Sequence, residues 1–169
     1  SQTMSRILQQ AAVDCVGICE DMAYKAHSMI SPAMTRRFLQ PSYNRWVKEI
    51  KSKDCPIIDM DSDGYIGELI PIWIESGINC CDPIEVAAGN DILEYRRRFG
   101  RQMAYRGGID KRALAKGGQV MRDEIMRIVP PLIEGGGYIP GCDHGVPPDI
   151  SWNNFVEYTK LLAELTGWL

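Results

Sequence analysis

Residues 56–81 read PIIDMDSDGYIGELIPIWIESGINCC, and the change of period inside this stretch decides the fold. Pro56 to Met60 is a short apolar run that ends in aspartate. Leu69 to Ser76 is a longer amphipathic run stopped at Gly77, a normal helix terminator, and Ile78 to Cys81 is a second short apolar run. A strand, a helix and a strand in that order form a βαβ unit, which specifies a parallel sheet.

The same alternation continues in both directions. Upstream, Asp14 to Cys19 reads as a strand. It is followed by a helix opened by Ser31-Pro32 and running to about Ser52, with Phe38, Leu39, Trp46, Val47 and Ile50 spaced for one buried face. Before it, Ile7, Leu8, Ala11 and Ala12 carry a helical pattern from the start of the chain. Downstream come a helix from Asp91 to Phe99 closed by Gly100, and a strand from Gln102 to Arg106 that breaks at Gly107-Gly108. A long helix then runs from about Gly118 to Glu134. After Gly135-Gly136-Gly137 comes a strand from Tyr138 to Cys142, and after Pro147-Pro148-Asp149 a helix from Trp152 to Leu165. The chain is thus an α/β protein of five strand-helix units. Five units do not close a standard eight-stranded (β/α)₈ barrel, so the inner face is expected to be covered by self-association or by a chain that supplies further units.

Composition narrows the function classes. With 169 residues, 45% of them hydrophobic and 24% charged, the chain is sized for one domain or part of one. The net charge of -3 lacks the basic surface of a nucleic-acid binder. No run approaches the ~18 apolar residues of a membrane span. The six cysteines show neither a disulfide framework nor a zinc-ribbon spacing, which fits a reducing cytoplasm.

In parallel α/β folds ligands bind beyond the carboxyl ends of the strands, so the residues that follow each strand are the candidates for chemistry. Carboxylates dominate them: Glu20 and Asp21; Asp59, Asp61 and Asp63; Asp82 and Glu85; Asp110; Asp143 and Asp149. Asp61-Ser62-Asp63-Gly64 reads either as a loop whose aspartates cap backbone amides or, by the strand's period of two, as a pair of oxygen donors for a metal or a cation. Gly141-Cys142-Asp143-His144-Gly145 brings a thiol, a carboxylate and an imidazole to one strand end between glycines, against the plainer reading of a buried thiol and a satisfied histidine.

Tyr138 to Asp149, together with Gly107-Gly108-Ile109-Asp110, Leu39-Gln40-Pro41 and Asp59 to Gly64 before Ile70-Pro71-Ile72-Trp73, resembles the uroporphyrinogen decarboxylase superfamily across nearly the whole chain. The resemblance implies that residues 1–169 are the C-terminal part of a TIM barrel whose first three units are absent. It implies one of two chemistries: decarboxylation of uroporphyrinogen in tetrapyrrole biosynthesis, or methyl transfer between a corrinoid and a thiol. His144-Gly145 matches the decarboxylases' last strand end. Asp61-Ser62-Asp63 stands where the zinc methyltransferases keep His-x-Cys, and Gly141-Cys142 matches their second element.

On this reading His144, Asp61 and Asp110 serve catalysis, and Asp21, Glu85, Asp143 and Gly108 contact substrate. Asp61, Asp63, Cys142 and His144 form a zinc set. The acidic rim favours a methyltransferase-type member over a decarboxylase, because like charges repel a polycarboxylate substrate. The expected partners are a small-molecule substrate, a corrinoid protein, and a second copy or a chain completing the barrel. A non-catalytic, barrel-completing subunit stays open as a third reading.

Overall fold

The computed structural model describes residues 5, 6, 8, 9 and 12–169. Of the opening helical pattern, Ile7 and Ala11 lie outside the described residues. The sheet has five strands: β1 (Cys15–Cys19), β2 (Ile57–Asp61), β3 (Cys80–Asp82), β4 (Ala104–Ile109) and β5 (Tyr138–Cys142). They lie in the order β1-β2-β3-β4-β5 and every neighbouring pair is parallel. A doubly wound sheet reverses its strand order at a switch point, whereas an unbroken sequential order is that of a barrel arc. Every strand therefore ends on the same side. Among the described residues no helix is long and apolar enough to cross a membrane.

Among the described residues seven α-helices follow β1: α1 (Pro32–Phe38), α2 (Gln40–Lys51), α3 (Ile70–Ser76), α4 (Ile92–Phe99), α5 (Lys111–Lys116), α6 (Gly118–Ile133) and α7 (Trp152–Thr166). The single helix expected from Ser31 to Ser52 is two, joined at Leu39. Pro41 has no N–H to continue the ladder, and Ser42 and Tyr43 instead donate to the Leu39 carbonyl as a new first turn. Helix α5 was not expected. Asp110 caps it, accepting the Arg112 N–H at 2.9 Å.

Strand alternation sorts the side chains. On β2, Ile58 and Met60 are fully buried in the same core as Trp73 of α3 and Ile125 and Val129 of α6. Ile57, Asp59 and Asp61 take the opposite face, and the register aligns them with Cys15, Gly17 and Cys19 on β1. Cys80 and Asp82 of β3 continue that row, as do Ala104 and Arg106 of β4. Cys15, Cys19, Ile57 and Arg106 are exposed there, as is Ile139 of β5, so among the described residues this inner face carries no layer of its own. Cys81 joins the helix-side core while Cys80 faces inward beside Asp59. Both are buried.

The expected break of β4 at Gly107-Gly108 is corrected by the structure. The strand runs on to Ile109, pairing Gly107 with Pro140, Gly108 with Gly141 and Ile109 with Cys142. The glycines permit this instead of ending it. Gly107 has φ +95°, and a Cβ there would lie 2.3 Å from the Pro83 carbonyl oxygen. Gly107→Ala combines that collision with a left-handed backbone and is expected to cost about 2 kcal/mol or more. Urea unfolding of the two proteins measures it, and equal midpoints would contradict this account of β4.

Candidate functional site

A cleft of about 430 Å³ opens at the carboxyl ends of the strands, bordered by Cys19, Asp21, Asp61, Asp63, Asp82, Pro83, Arg106, Gly107, Gly141, Cys142, His144 and Gly145. Its floor is built by β2, β3 and β4. The register sets Asp61 beside Asp82, and Asp59 one pleat below them. From β4 the Arg106 guanidinium reaches across, its Nη2 donating to Asp82 Oδ2 at 2.5 Å and to Asp59 Oδ2 at 3.2 Å. Asp59 and Asp82 are only 8% and 9% exposed, and Oδ1 of each is buried without a hydrogen-bond partner among the described residues. Burial, joined by repulsion from Asp59, pushes Asp82 up to about 6 against the opposing pull of Arg106.

The walls come from the loops after β1, β2 and β5. Cys19 donates its S–H to Asp61 Oδ2 at 3.3 Å, and that hydrogen bond raises the pKa of the exposed thiol. The Asp63 N–H donates to Asp21 Oδ1 at 3.2 Å, and the Asp63 carboxylate lies 3.3 Å from His144 Nε2. That contact spans the mouth from the β2 loop to the β5 loop. Burial pushes the Cys142 thiol up, so it is not poised as a thiolate.

Of the expected site residues, Asp21, Asp61, Asp63, Cys142 and His144 border this one cleft. Three others have structural duties. Asp143 is fully buried, its two oxygens accepting the Val86 and Lys111 N–H groups at 2.9 Å each, so it joins two loops. Burial raises its pKa despite those donors. Asp110 caps α5 and pairs with Arg112 at 2.8 Å; burial works against its charge, but Arg112 outweighs it and holds the carboxyl below its usual range. Gly108 gives its N–H to the Pro83 carbonyl, and Ile92 packs where its side chain would stand, so Gly107 is the glycine at the cleft.

Glu85 lies outside the lining. It accepts the Gly64 N–H at 3.2 Å and pairs with Lys111 at 3.1 Å; burial opposes its charge, yet these partners keep its pKa low. The zinc set does not gather about one point. Asp61 is engaged by Cys19 and Asp63 by His144, and among the described residues no group of three or more His, Cys, Asp or Glu side chains is arranged to hold a metal.

Two residues of consequence were not expected. Arg106 lies inside an apolar strand, and its charge in that setting was the available signal. Asn90, 4% exposed, accepts from the Ile66 N–H and the Tyr95 hydroxyl and donates to the carbonyls of Gly64 and Glu85, tying the loops behind the cleft together. An isolated asparagine between helices gives no such signal in sequence.

Comparison with known proteins places this geometry. The family model described as Uroporphyrinogen decarboxylase (URO-D) matches residues 2–165. The uroporphyrinogen decarboxylase of Alcanivorax borkumensis is 24% identical over 145 residues, covering 85% of this chain and 37% of that protein. That of Pseudomonas fluorescens strain SBW25 is 26% identical over 122 residues, covering 72% of this chain and 33% of that protein. This chain thus spans about a third of the length of these curated relatives. Among solved structures, a methyltransferase from Methanosarcina mazei superposes with a TM-score of 0.65 at 17% identity, over 94% of this chain and 44% of that one. It shares the fold.

The floor of the cleft makes a prediction about titration. Asp82 is expected to titrate near pH 6 by carbon-13 NMR, lower in Asp59→Asn, which removes a like charge, and higher in Arg106→Gln, which removes the opposing one. Its folded pKa lies above the ordinary value of 3.8, so its contribution to stability is present below about pH 4 and is lost as pH rises through 6. Shifts of the opposite sign would show that these three residues do not share one field.

Proposed function

The chain belongs to the uroporphyrinogen decarboxylase family, and from that premise we propose that it forms part of a methyltransferase-type member acting on a small thiol. The observation that carries this reading is the charge of the cleft. Asp21, Asp61, Asp63 and Asp82 border it with Arg106, which is already shared between Asp59 and Asp82. A polycarboxylate porphyrinogen would bring further negative charge against these groups, each pair repelling by about 4 kcal/mol at ~4 Å and an intermediate dielectric. A small thiol meets no such barrier.

Methyl transfer to a thiol breaks the S–H bond as the S–C bond forms, and the proton must be received at the site. Asp82 is the first candidate for this role. With a pKa of about 6 it is mostly ionised at neutral pH, and it borders the cleft. The Asp61 carboxylate already accepts a hydrogen bond from the thiol of Cys19, so a thiol donor suits this wall. His144, held by Asp63, offers an opposing imidazole. A corrinoid on a partner protein supplies the methyl group when bound.

A second reading, decarboxylation, is supported by the relatives named uroporphyrinogen decarboxylase and by His144-Gly145 after the last strand. It requires cationic residues from parts of the barrel beyond these five units to offset the cleft. In either reading, a second copy or further strand-helix units would cover the exposed inner face.

The test incubates the protein with a methylated corrinoid and a small thiol, and separately with uroporphyrinogen. Thioether formation is expected, about 10²-fold slower in Asp82→Asn as for loss of a general base, with no decarboxylated porphyrinogen. Decarboxylation without thioether would overturn the proposal in favour of the second reading.

A further inference from the structure

We infer that Lys111 is a positioning residue for the cleft: with Glu85 and Asp143 it holds the loops after β2 and β5 so that Asp63 and His144 meet across the mouth. This rests on the reading of the cleft as the reaction site and names what sets its geometry.

Asp63 and His144 stand on loops that leave β2 and β5, strands that are not neighbours in the sheet. Both side chains are largely open to solvent, so water competes with their contact and the contact by itself fixes neither loop. The restraint lies behind the mouth, and it converges on Lys111, which follows Asp110 at the start of α5.

Lys111 acts through two groups. Its Nζ pairs with Glu85 Oε1 at 3.1 Å, and Glu85 Oε2 accepts the N–H of Gly64, the residue after Asp63, at 3.2 Å. Its backbone N–H donates to Oδ1 of Asp143, the residue before His144, at 2.9 Å, and the other Asp143 oxygen takes the N–H of Val86, next to Glu85. Contacts thus run unbroken from Gly64 through Glu85 and Lys111 to Asp143, ending beside each partner of the mouth contact. Asn90 braces this run by donating to the carbonyls of Gly64 and Glu85.

Three features separate this arrangement from an ion pair that only stabilises the fold. Gly64, Glu85 and Asp143 are all loop residues at the carboxyl side of the sheet. The Lys111 and Glu85 side chains are 22% and 24% exposed, so salt and water screen their pair far less than a surface pair, yet neither residue borders the cleft. Burial opposes the charge of Glu85, and Lys111, the Gly64 N–H and His144 together outweigh it, so His144 lies within the field of this pair.

The experiment follows the His144 imidazole by nitrogen-15 NMR at one fixed pH. The chain has two histidines, so His27→Gln assigns the resonances. Asp63→Asn is expected to shift those of His144. Lys111→Met removes the Nζ contact and keeps the backbone N–H to Asp143. It is expected to shift them in the same direction, and Asp63→Asn added to it should then shift them by less than about half as much as in the parent, because the contact is already loosened. In the thioether assay its kcat should fall about tenfold or more while KM changes less. Should Lys111→Met not fold, Glu85→Gln keeps an acceptor for the Gly64 N–H, loses the charge opposite Lys111, and carries the same expectations.

A role confined to stability would lower the urea midpoint and leave the two NMR shifts additive, and that result would overturn the inference. So would His144 resonances that Asp63→Asn leaves unmoved in the parent. Failure of the methyl-transfer reading is separable: coupled shifts without thioether formation keep the role of Lys111 and remove that reading, whereas thioether formation with additive shifts does the reverse.

Discussion

The period-two alternation of five parallel strands in register is the constraint from which the site follows. On β2 it sends Ile58 and Met60 into the helix-side core and Asp59 and Asp61 to the other face, and a slip of one residue would bury two carboxylates among isoleucines. Because β3 and β4 keep the same phase, Cys80, Asp82, Ala104 and Arg106 share that face. Helix-side burial thus fixes the register, and the register places the charges. Arg106 then spans β2 and β3 from β4, so that three strands meet at one guanidinium.

Much of this was legible in sequence because it depends on local pattern. The strand from Tyr138 to Cys142 has the boundaries its Gly-rich lead and following loop suggest, and the strand order follows from βα alternation. What was not legible depends on distant partners or on single backbone constraints. The break at Leu39 comes from a missing N–H on Pro41, inside a stretch whose apolar spacing reads as continuous. The extension of β4 through Gly107-Gly108 depends on how closely Pro83 approaches, which no local pattern reports.

The site divides in the same way. Asp21, Asp61, Asp63, Cys142 and His144 were placed at one cleft by the rule that strand ends gather on one side. Asp143 and Asp110 look equally available in sequence. The structure gives their carboxylates to backbone N–H groups and Arg112 instead, because loop ends leave amides that must be satisfied. Arg106 was missed because its value lies in residues 24 and 47 positions away. The expected zinc donors share a cleft, yet Asp63 is engaged by His144 and Asp61 by Cys19.

A family fold whose relatives are named decarboxylases therefore presents here a cleft that is short of positive charge. Cys19, exposed on its wall beside Asp61, is a built-in probe of that field. The rates at which a cationic and an anionic methanethiosulfonate modify Cys19, resolved from Cys15 by peptide mapping, measure the local potential. Relative to a free model thiol, the ratio should favour the cationic reagent by about tenfold or more at low salt and fall as salt is added. A ratio equal to that of the free thiol, or one favouring the anion, would contradict the account.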